Sequence, residues 1–356
     1  MLKFHPLAIS ERRAIADDAV AISFAVPEAL RAEFRFRAGQ HLALRALIDG
    51  REQRRTYSIV NPESAAALTI GVRVHDAGRM SPHLARVLQP GDIVDVMTPN
   101  GSFTTRAPGG PRLCAAFASG SGITPVLSIA ATVLEREPDS RFQLYYGNTS
   151  TARTMFLEEV QALKDRFLSR FSVCFIMSRE PQDVALFNGR IDAARVREFA
   201  RHGLVLAGVD EFFICGPGTM ADQVQSALTS LGATGAVHVE HFSAAAGGEP
   251  VATPLPLAPA AERSGAAEVT VIMDGRRRRF AMQPDEVILD AAGRAGFDLP
   301  FSCRAGVCST CRARLVSGSA TMEHNVALED WEVEAGYILC CQARPTSPAL
   351  EISYDE

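Results

Sequence analysis

The stretch Cys303-Arg304-Ala305-Gly306-Val307-Cys308-Ser309-Thr310-Cys311 places three of the chain's eight cysteines within nine positions. Cys340 and Cys341 follow, so five of the eight cysteines lie in the last 54 of 356 residues. Residues 1–10 contain no apolar run of the length that a secretory signal needs, so we expect a cytoplasmic protein with reduced thiols. A local cluster of reduced thiols indicates metal ligation rather than disulfide bonds.

The spacing Cys-x4-Cys-x2-Cys with a distant fourth cysteine is typical of plant-type ferredoxins, which hold a [2Fe–2S] cluster. The stretch Gly336–Gln342 resembles the ferredoxin strand in which the ligand follows a small residue after a leucine, and this favours Cys341 over Cys340. The alternative is a structural zinc site, but zinc ribbons usually pair two Cys-x2-Cys units and only one is present. We therefore predict a cluster held by four ligands, Cys303, Cys308, Cys311 and Cys341.

Four regions with different sequence patterns divide the chain. Residues 1–106 contain short alternating apolar stretches between turn residues, which predicts an antiparallel β-barrel or β-sandwich. Residues 107–242 alternate apolar strands with amphipathic helices, which predicts a doubly wound α/β domain. Residues 243–265, rich in Ala, Pro, Gly and Ser, are predicted to be a linker. Residues 266–356 begin with a hairpin signal at Asp274-Gly275 and carry the cysteine loop.

Charge is distributed unevenly along the chain. The formal net charge of −5 argues against a general nucleic-acid binder, which would be strongly basic. Residues 266–356 hold 14 acidic and 9 basic side chains, whereas the two signs balance in the rest.

The long uncharged stretch 113–134 contains glycines and Pro125 in its middle, so it predicts a strand, a loop and a helix rather than a membrane span. An acidic group in the last region is either a docking surface for a basic partner or an ordinary solvated face: Glu323, Glu329, Asp330, Glu332 and Glu334.

Three motifs in the first region resemble those of the ferredoxin–NADP reductase family. Arg55-Thr56-Tyr57-Ser58, followed by Ile59, fits the family's Arg-x-Tyr-Ser pattern. In that family the tyrosine packs on the isoalloxazine ring, the serine bonds near the flavin N5, and the arginine binds the pyrophosphate. Val72-Arg73-Val74 resembles the strand whose backbone frames the flavin, and Gly78-Arg79-Met80-Ser81 resembles a phosphate-binding loop. The resemblance implies FAD rather than FMN.

Two motifs in the second region resemble pyridine-nucleotide elements of the same family. Gly120-Ser121-Gly122-Ile123-Thr124-Pro125 follows a predicted strand and opens a predicted helix, like the Gly-x-Gly-x-x-Pro loop. The resemblance implies that Gly120, Gly122, Thr124 and Pro125 approach the dinucleotide. Cys215-Gly216-Pro217 resembles the element whose cysteine lies beside the nicotinamide, although Cys215 would also suit a buried core position.

The choice between NADPH and NADH depends on the pocket for a 2′-phosphate. A carboxylate after the second strand would repel that phosphate, and residues 147–153, which include Asn148 and Arg153, contain no acid. Ser178 and Arg179 resemble the family's Ser-Arg element for the 2′-phosphate. These features favour NADPH over NADH, with solvated surface charges as the alternative for both arginines.

The order of flavin barrel, nucleotide domain, linker and plant-type ferredoxin domain is similar to that of the reductase components of multicomponent oxygenases. Within that family, four stretches resemble the reductase subunits of phenylacetyl-CoA epoxidases: Phe36–Leu42, Tyr146–Asn148 with Met155 and Phe156, Asn188–Asp192, and Met322–Asn325. The resemblance implies an α+β β-grasp fold for the ferredoxin domain.

The same resemblance implies an electron path from NADPH through FAD and the [2Fe–2S] cluster to di-iron oxygenase subunits. Tyr57, Ser58 and Cys215 are the residues that it places at the site of hydride transfer. Two alternatives remain open. One is a reductase for a Rieske-type or steroid hydroxylase, and the other is an iron–sulfur redox sensor without reductase activity.

Overall fold

The computed structural model describes residues 3–107, 109–242, 267–283 and 286–355 of the chain. The predicted linker, 243–265, lies outside the described residues. The chain divides into two compact units, of which the larger contains the first two sheets and the smaller contains the cysteine loop. Within the described part of the chain, no helix combines the length and apolar character needed to cross a membrane.

The first sheet has six strands in the spatial order β4-β3-β6-β1-β2-β5. The pairings β1–β2, β2–β5 and β3–β6 are antiparallel. Ile59, directly after β4, forms a bridge with Ile70 of β5, which joins the two edge strands and closes the sheet into a barrel. The strand bounds are β1 Phe4–Ala16, β2 Ala19–Ala25, β3 His41–Ile48, β4 Arg51–Ser58, β5 Leu68–Arg73 and β6 Ile93–Met97.

Alternate side chains of these strands fill the barrel because successive residues of a strand point to opposite faces. Ile22, Leu42 and Ile70 are fully buried there. A single helical turn, α1 Met80–Pro82, follows β5, and Met80 is buried in the same core. The sequence therefore predicted this barrel correctly.

The second sheet is parallel, in the order β11-β10-β7-β8-β9, and helices connect its strands. The chain runs outward from β7 to β9 and then returns to place β10 beside β7. The strand order therefore reverses between β7 and β10, which is where open α/β sheets bind ligands. The bounds are β7 Leu113–Ser119, α2 Ile123–Arg136, β8 Arg141–Asn148, α3 Leu157–Arg166, β9 Phe171–Met177, α4 Ala193–His202, β10 Val209–Gly216, α5 Gly218–Ser230 and β11 Ala236–His241.

One predicted helix begins later than its apolar spacing indicates. The spacing predicts a helix from Met155, but α3 begins at Leu157 because Phe156 has a left-handed backbone with φ 55°. Met155 and Phe156 are both almost fully buried in the core that α2 shares with the strands beneath it. Burial of these two side chains outweighs the local cost of the left-handed residue.

The smaller unit has a five-stranded sheet in the order β13-β12-β18-β14-β16, with a two-stranded β15–β17 ladder beside it. Asp274 and Gly275, with φ of 57° and 67°, form the hairpin turn that the sequence predicts between β12 and β13. Strands β12 and β18 are parallel, and α6 packs its apolar face on the sheet, as in a β-grasp fold. The bounds are β12 Ala267–Met273, β13 Arg276–Met282, α6 Ile288–Arg294, β14 Arg312–Ser317, β15 Ala320–Met322, α7 Asp330–Glu334, β16 Tyr337–Leu339, β17 Ala343–Pro345 and β18 Ala349–Ser353.

Candidate cofactor-binding sites

The four predicted cluster ligands lie together as two pairs of thiols. Cys303 contacts Cys308, and Cys311 contacts Cys341. In each pair one thiol has a lowered pKa and its partner a raised one, because the two sulfurs hydrogen-bond to each other. Within the described residues, no three His, Cys, Asp or Glu side chains are arranged to hold a single metal ion. Two thiol pairs instead fit a two-iron cluster, in which each iron takes two thiolates.

Backbone N–H groups point at these sulfurs. The N–H of Ala305 donates to Cys303 Sγ at 3.3 Å, and the N–H of Cys303 donates to Cys308 Sγ at 3.4 Å. The Gln342 side-chain amide donates to Cys341 Sγ at 3.7 Å. The hydroxyl of Ser302, beside the loop, is buried without a hydrogen-bond partner in the described chain. Donors aimed at sulfur stabilise thiolates, so the environment fits an anionic cluster.

Gly306 allows the cysteine loop to fold this tightly. Its φ is +74°, and a Cβ there would lie 2.7 Å from the carbonyl oxygen of His324. That oxygen belongs to the segment that covers the loop, since the N–H groups of Val326 and Ala327 both donate to the Gly306 carbonyl at 3.0 Å. Only glycine satisfies the conformation and the close approach together.

Cys340 and Cys341 have different neighbours. Cys340 is fully buried in the apolar core of the smaller unit, and burial raises the pKa of its thiol to about 12. Cys341 faces Cys311. The geometry therefore agrees with the prediction that Cys341, rather than Cys340, belongs to the thiol set.

The flavin motifs lie at one end of the barrel. The Ile59–Ile70 bridge brings the end of β4, with Tyr57 and the buried Ser58, alongside β5. At the end of β5 the N–H of Val74 donates to the carbonyl oxygen of Asp18 at 2.8 Å. Tyr57 is partly buried and packs against the barrel core, and Val72 is fully buried within it. The end of β4 therefore lies beside the strand that the sequence assigns to the flavin backbone.

The Gly78–Ser81 loop is a compact turn. Gly78 N–H donates to the His75 carbonyl at 2.8 Å, and Ser81 Oγ accepts from the His75 N–H at 3.0 Å. Arg79 forms an exposed ion pair with Asp49. Because the Met80 side chain is buried in the barrel core, only its backbone is available to a phosphate.

The nucleotide motifs meet at the point where the parallel sheet reverses its strand order. Gly120–Gly122 follows β7, and Cys215-Gly216-Pro217 ends β10 and opens α5. A Cβ on Gly122 would lie 2.1 Å from the Cys215 carbonyl oxygen, so this glycine is required for α2 to begin against β10. Thr124 is buried, and its hydroxyl donates to the Ser121 carbonyl at 2.9 Å.

Polar atoms are buried without partners at the end of β8. The amide oxygen of Asn148 and the hydroxyl of Thr149 lack a hydrogen-bond partner among the described residues. The Asn148 N–H group lies near the Tyr146 hydroxyl, which can accept from it while it offers its one proton to the Gly120 and Met155 carbonyls, each at 3.0 Å. Unsatisfied buried polar groups are costly, so they fit a site that a polar ligand completes.

The predicted 2′-phosphate residues lie close to one another. The backbone N–H groups of Ser178 and Arg179 donate to the carbonyls of Asn148 and Thr149, each at 2.9 Å. Arg153 lies in the short turn after β8 and forms an ion pair with Asp18. The structure thus brings Asn148, Arg153, Ser178 and Arg179 to one edge of the sheet.

Successive parts of the chain match three families. They are an oxidoreductase FAD-binding domain over residues 6–105, an oxidoreductase NAD-binding domain over residues 117–226, and a 2Fe–2S iron–sulfur cluster binding domain over residues 271–346. A subunit of the 1,2-phenylacetyl-CoA epoxidase of Escherichia coli (strain K12) is 38% identical over 359 residues, covering 100% of this chain and 99% of that protein. The chain belongs to the NAD(P)H-dependent FAD/[2Fe–2S] reductases of oxygenase systems.

Further comparisons agree with this family. The ferredoxin reductase component of the 3-ketosteroid-9-alpha-monooxygenase of Rhodococcus rhodochrous is 32% identical over 341 residues, covering 95% of this reductase and 93% of that protein. The solved structure of phthalate dioxygenase reductase covers 98% of each chain with a TM-score of 0.57 and 24% identity, which shows the shared fold. The reductase therefore uses FAD, NAD(P)H and a [2Fe–2S] cluster, and its partner is an oxygenase.

Sequence reasoning missed two acidic residues at the nucleotide edge of the reductase. Glu240, near the end of β11, places Oε2 3.9 Å from Cys215 Sγ, and burial raises its pKa to about 8. Burial also raises the pKa of Cys215 well above the ordinary thiol range. Glu180 accepts hydrogen bonds from the N–H and the hydroxyl of Thr151, at 2.7 and 2.6 Å, which lower its pKa. Glu180, which follows β9, therefore lies beside the loop after β8, and that loop contains no acid of its own.

Gly71 is a third residue that was missed. It lies in the interior of β5, and a Cβ there would lie 2.6 Å from side-chain atoms of both Phe156 and Thr124. The barrel strand therefore approaches the start of α2 closely at this point. A glycine within an otherwise apolar strand was the available signal, because such a glycine often marks a close approach.

Proposed function

We propose that this reductase is the NADPH-dependent electron donor of a phenylacetyl-CoA epoxidase and that its acceptor is the set of di-iron oxygenase subunits. The observation that carries the proposal is the 38% identity to a subunit of such an epoxidase over the whole chain. The proposed domains are residues 1–106 for FAD, 107–242 for the nucleotide and 266–356 for the cluster, joined by 243–265. We place the protein in the cytoplasm, where thiols stay reduced.

The cluster ligands in this proposal are Cys303, Cys308, Cys311 and Cys341. Their support is the two thiol pairs and the N–H donors aimed at Cys303 and Cys308. When the cofactors are bound, FAD accepts hydride from the reduced nicotinamide, and the cluster accepts electrons one at a time. The chain's task is to hold these groups and to exclude water.

On the flavin side, the proposed residues are those at the junction of β4 and β5 and in the following loop. The Tyr57 ring would cover the flavin face, and the buried Ser58 would offer its hydroxyl to the flavin. Arg55 would bind phosphate through its fork of donors. The remaining proposed contacts are Ile59, Val72, Arg73, Val74, Gly78, Arg79, Met80 and Ser81.

On the nicotinamide side, Cys215 and Glu240 form the proposed wall of the pocket. With a pKa of about 8, Glu240 keeps its proton at neutral pH, so a neutral carboxyl lies beside a neutral thiol. An uncharged wall excludes water without adding a negative charge. Gly120, Gly122, Thr124, Pro125, Gly216 and Pro217 are the proposed loop residues.

NADPH remains the proposed coenzyme. Arg153, Ser178 and Arg179 support it because they lie together at the sheet edge where the ribose is expected. Glu180 opposes it, because two hydrogen bonds from Thr151 favour its ionised form. The ratio of kcat/KM for NADPH to that for NADH tests this choice, and a ratio below 1 would refute it.

The second candidate is a reductase for a steroid or other hydroxylase. The 32% identity to the ketosteroid monooxygenase reductase over 95% of this chain favours it. Reconstitution decides between the two, with the purified reductase mixed with epoxidase subunits and phenylacetyl-CoA, or with the ketosteroid oxygenase and its steroid. NADPH-dependent product formation only with the steroid system would overturn the proposal.

The cluster assignment has a matched pair of variants. Cys341→Ser is expected to remove acid-labile sulfide and to lower NADPH-dependent cytochrome c reduction about 100-fold, while ferricyanide reduction continues through the flavin. Cys340→Ser, one residue away, is expected to keep its sulfide. Equal sulfide content in the two variants would show that the assignment is wrong.

A further inference from the structure

Three charged side chains from distant parts of the chain meet on the larger unit. Asp18 lies in the turn between β1 and β2, Arg73 ends β5, and Arg153 lies in the short turn after β8. Arg73 Nη1 donates to both carboxylate oxygens of Asp18, at 2.9 and 2.8 Å. Arg153 Nη2 donates to Oδ2 of the same carboxylate. One carboxylate therefore holds two guanidinium groups side by side.

Backbone bonds fix the same three elements. The N–H of Asp17 donates to the carbonyl oxygen of Ala152 at 3.0 Å, and Arg73 Nη2 donates to the carbonyl oxygen of Arg153 at 2.9 Å. The side chains of Asp18 and Arg73 are only 20% and 13% exposed, so water screens this ion pair poorly. The position of the Asp18 carboxylate is thus determined by the fold.

The pair of cations faces the glycine loop after β7. Arg73 Nε is buried and has no hydrogen-bond partner in the part of the chain that the structure describes. A Cβ on Gly120 would lie 3.9 Å from both Nε and Nη2 of Arg73. Arg153, at 45% exposure, retains donors that are open to solvent. An unsatisfied guanidinium donor beside a glycine loop fits an anionic ligand.

We propose that Asp18 is a positioning residue for pyridine nucleotide binding, which holds Arg73 and Arg153 together so that both face the phosphates of the dinucleotide. The inference rests on the proposed nucleotide site. Two neighbouring guanidinium groups repel each other, and the shared carboxylate offsets that repulsion. Without it, the more exposed Arg153 turns toward solvent and the phosphates lose a preorganised partner.

The test uses Asp18→Asn in the full-length holoprotein. We expect the Kd of NADP⁺, measured by isothermal titration calorimetry, and the KM for NADPH to rise about tenfold, with kcat within about twofold. The preference for NADPH over NADH is expected to fall, because Arg153 is the proposed partner of the 2′-phosphate. Asp17→Asn is the matched control, since it removes the same charge from a neighbour in the same turn and should leave the Kd unchanged.

Two results would overturn the inference. A smaller Kd for Asp18→Asn would mean that the acid merely repels the phosphates, and an unchanged Kd, with or without a lower Tm, would mean that the contact is only structural. If Asp18→Asn does not retain flavin, Asp18→Glu replaces it, with an expected rise in Kd of about threefold and the same criterion. Failure of the proposed nucleotide site is distinct, because the unaltered protein would then bind neither NADP⁺ nor NAD⁺.

Discussion

Buried polar groups have different numbers of partners at the two edges of the parallel sheet, where the strands begin and where they end. At the edge where the strands begin, Arg112 is 5% exposed and forms ion pairs with Glu137 and with Glu211, which is completely buried. Thr105 Oγ1 donates to Glu211 at 3.0 Å, and His238 Nε2 lies 3.1 Å from it. Each of these buried charges has a partner of opposite sign or a hydrogen bond.

At the edge where the strands end, some buried polar atoms lack partners and one partly buried carboxyl has only a weak one. The amide oxygen of Asn148 is buried and unsatisfied among the described residues, and Glu240 accepts a long hydrogen bond, 3.9 Å, from the neutral Cys215 thiol. The pKa values follow this contrast. Burial alone would raise the pKa of Glu211, but hydrogen bonds and the charge of Arg112 lower it to about 2, whereas burial raises that of Glu240 to about 8.

The contrast separates stability from binding. The ion network at the first edge connects the starts of the strands to the segments between them. Its charged groups are paired with one another, so they are not available to a ligand. Unsatisfied groups at the second edge cost folding free energy, and a bound cofactor recovers that cost. The difference therefore favours the second edge as the proposed ligand edge.

The largest expected effect comes from removing one carboxylate from the buried ion network at the edge where the strands begin. Glu211→Gln leaves the buried Arg112 with a single carboxylate, so we expect a loss of about 3 kcal/mol in the free energy of unfolding. Denaturant unfolding measures this, and the KM for NADPH should not change. Glu198→Gln, which removes an exposed pair with Arg201, is the control and should cost less than about 0.5 kcal/mol. A loss of similar size in both variants would contradict the comparison.

The next effect has opposite signs for stability and binding. Asn148→Leu replaces an amide whose oxygen is unsatisfied with an apolar group of similar shape, so we expect an unchanged or higher Tm and a KM for NADPH about tenfold higher. The control is Asn188→Leu, because that amide donates to Gln182 and Val184 and accepts from Gln182. It should lose about 1–3 kcal/mol of stability. If Asn148→Leu loses as much, the amide of Asn148 is satisfied in solution.

The smallest effect is a difference in pH dependence. Glu240 has a raised pKa in the folded state, so its contribution to stability is complete below the ordinary carboxyl pKa and is lost as pH rises toward about 8. Glu211 has a lowered pKa, so its contribution is present above the ordinary value and is lost as pH falls toward about 2. In Glu240→Gln, Tm should therefore fall less between about pH 5 and 8 than in the unaltered protein. The fall in Tm at acid pH should not change. An unchanged neutral slope would contradict the assignment.

The sequence predicted the elements and motifs whose determinants are local. The strands of residues 1–106, the helices of residues 107–242 and the turn at Asp274-Gly275 each depend on neighbouring residues, and all three were confirmed. The start of α3 was wrong because burial of Phe156 overrides its local spacing. The roles of the proposed site residues stay predictions, although the structure brings the four thiols together.

By itself, the sequence determined the three-domain order, the thiol spacing of the cysteine loop and the glycine loop between β7 and α2. Each is encoded within a short segment, where turn preferences and side-chain spacing act directly. Only the tertiary structure decided that Asp18 meets Arg73 and Arg153, 55 and 135 residues away, and that Glu240 lies beside Cys215. Such contacts depend on strand order and on which edges the fold brings together, and no local pattern of residues encodes that order.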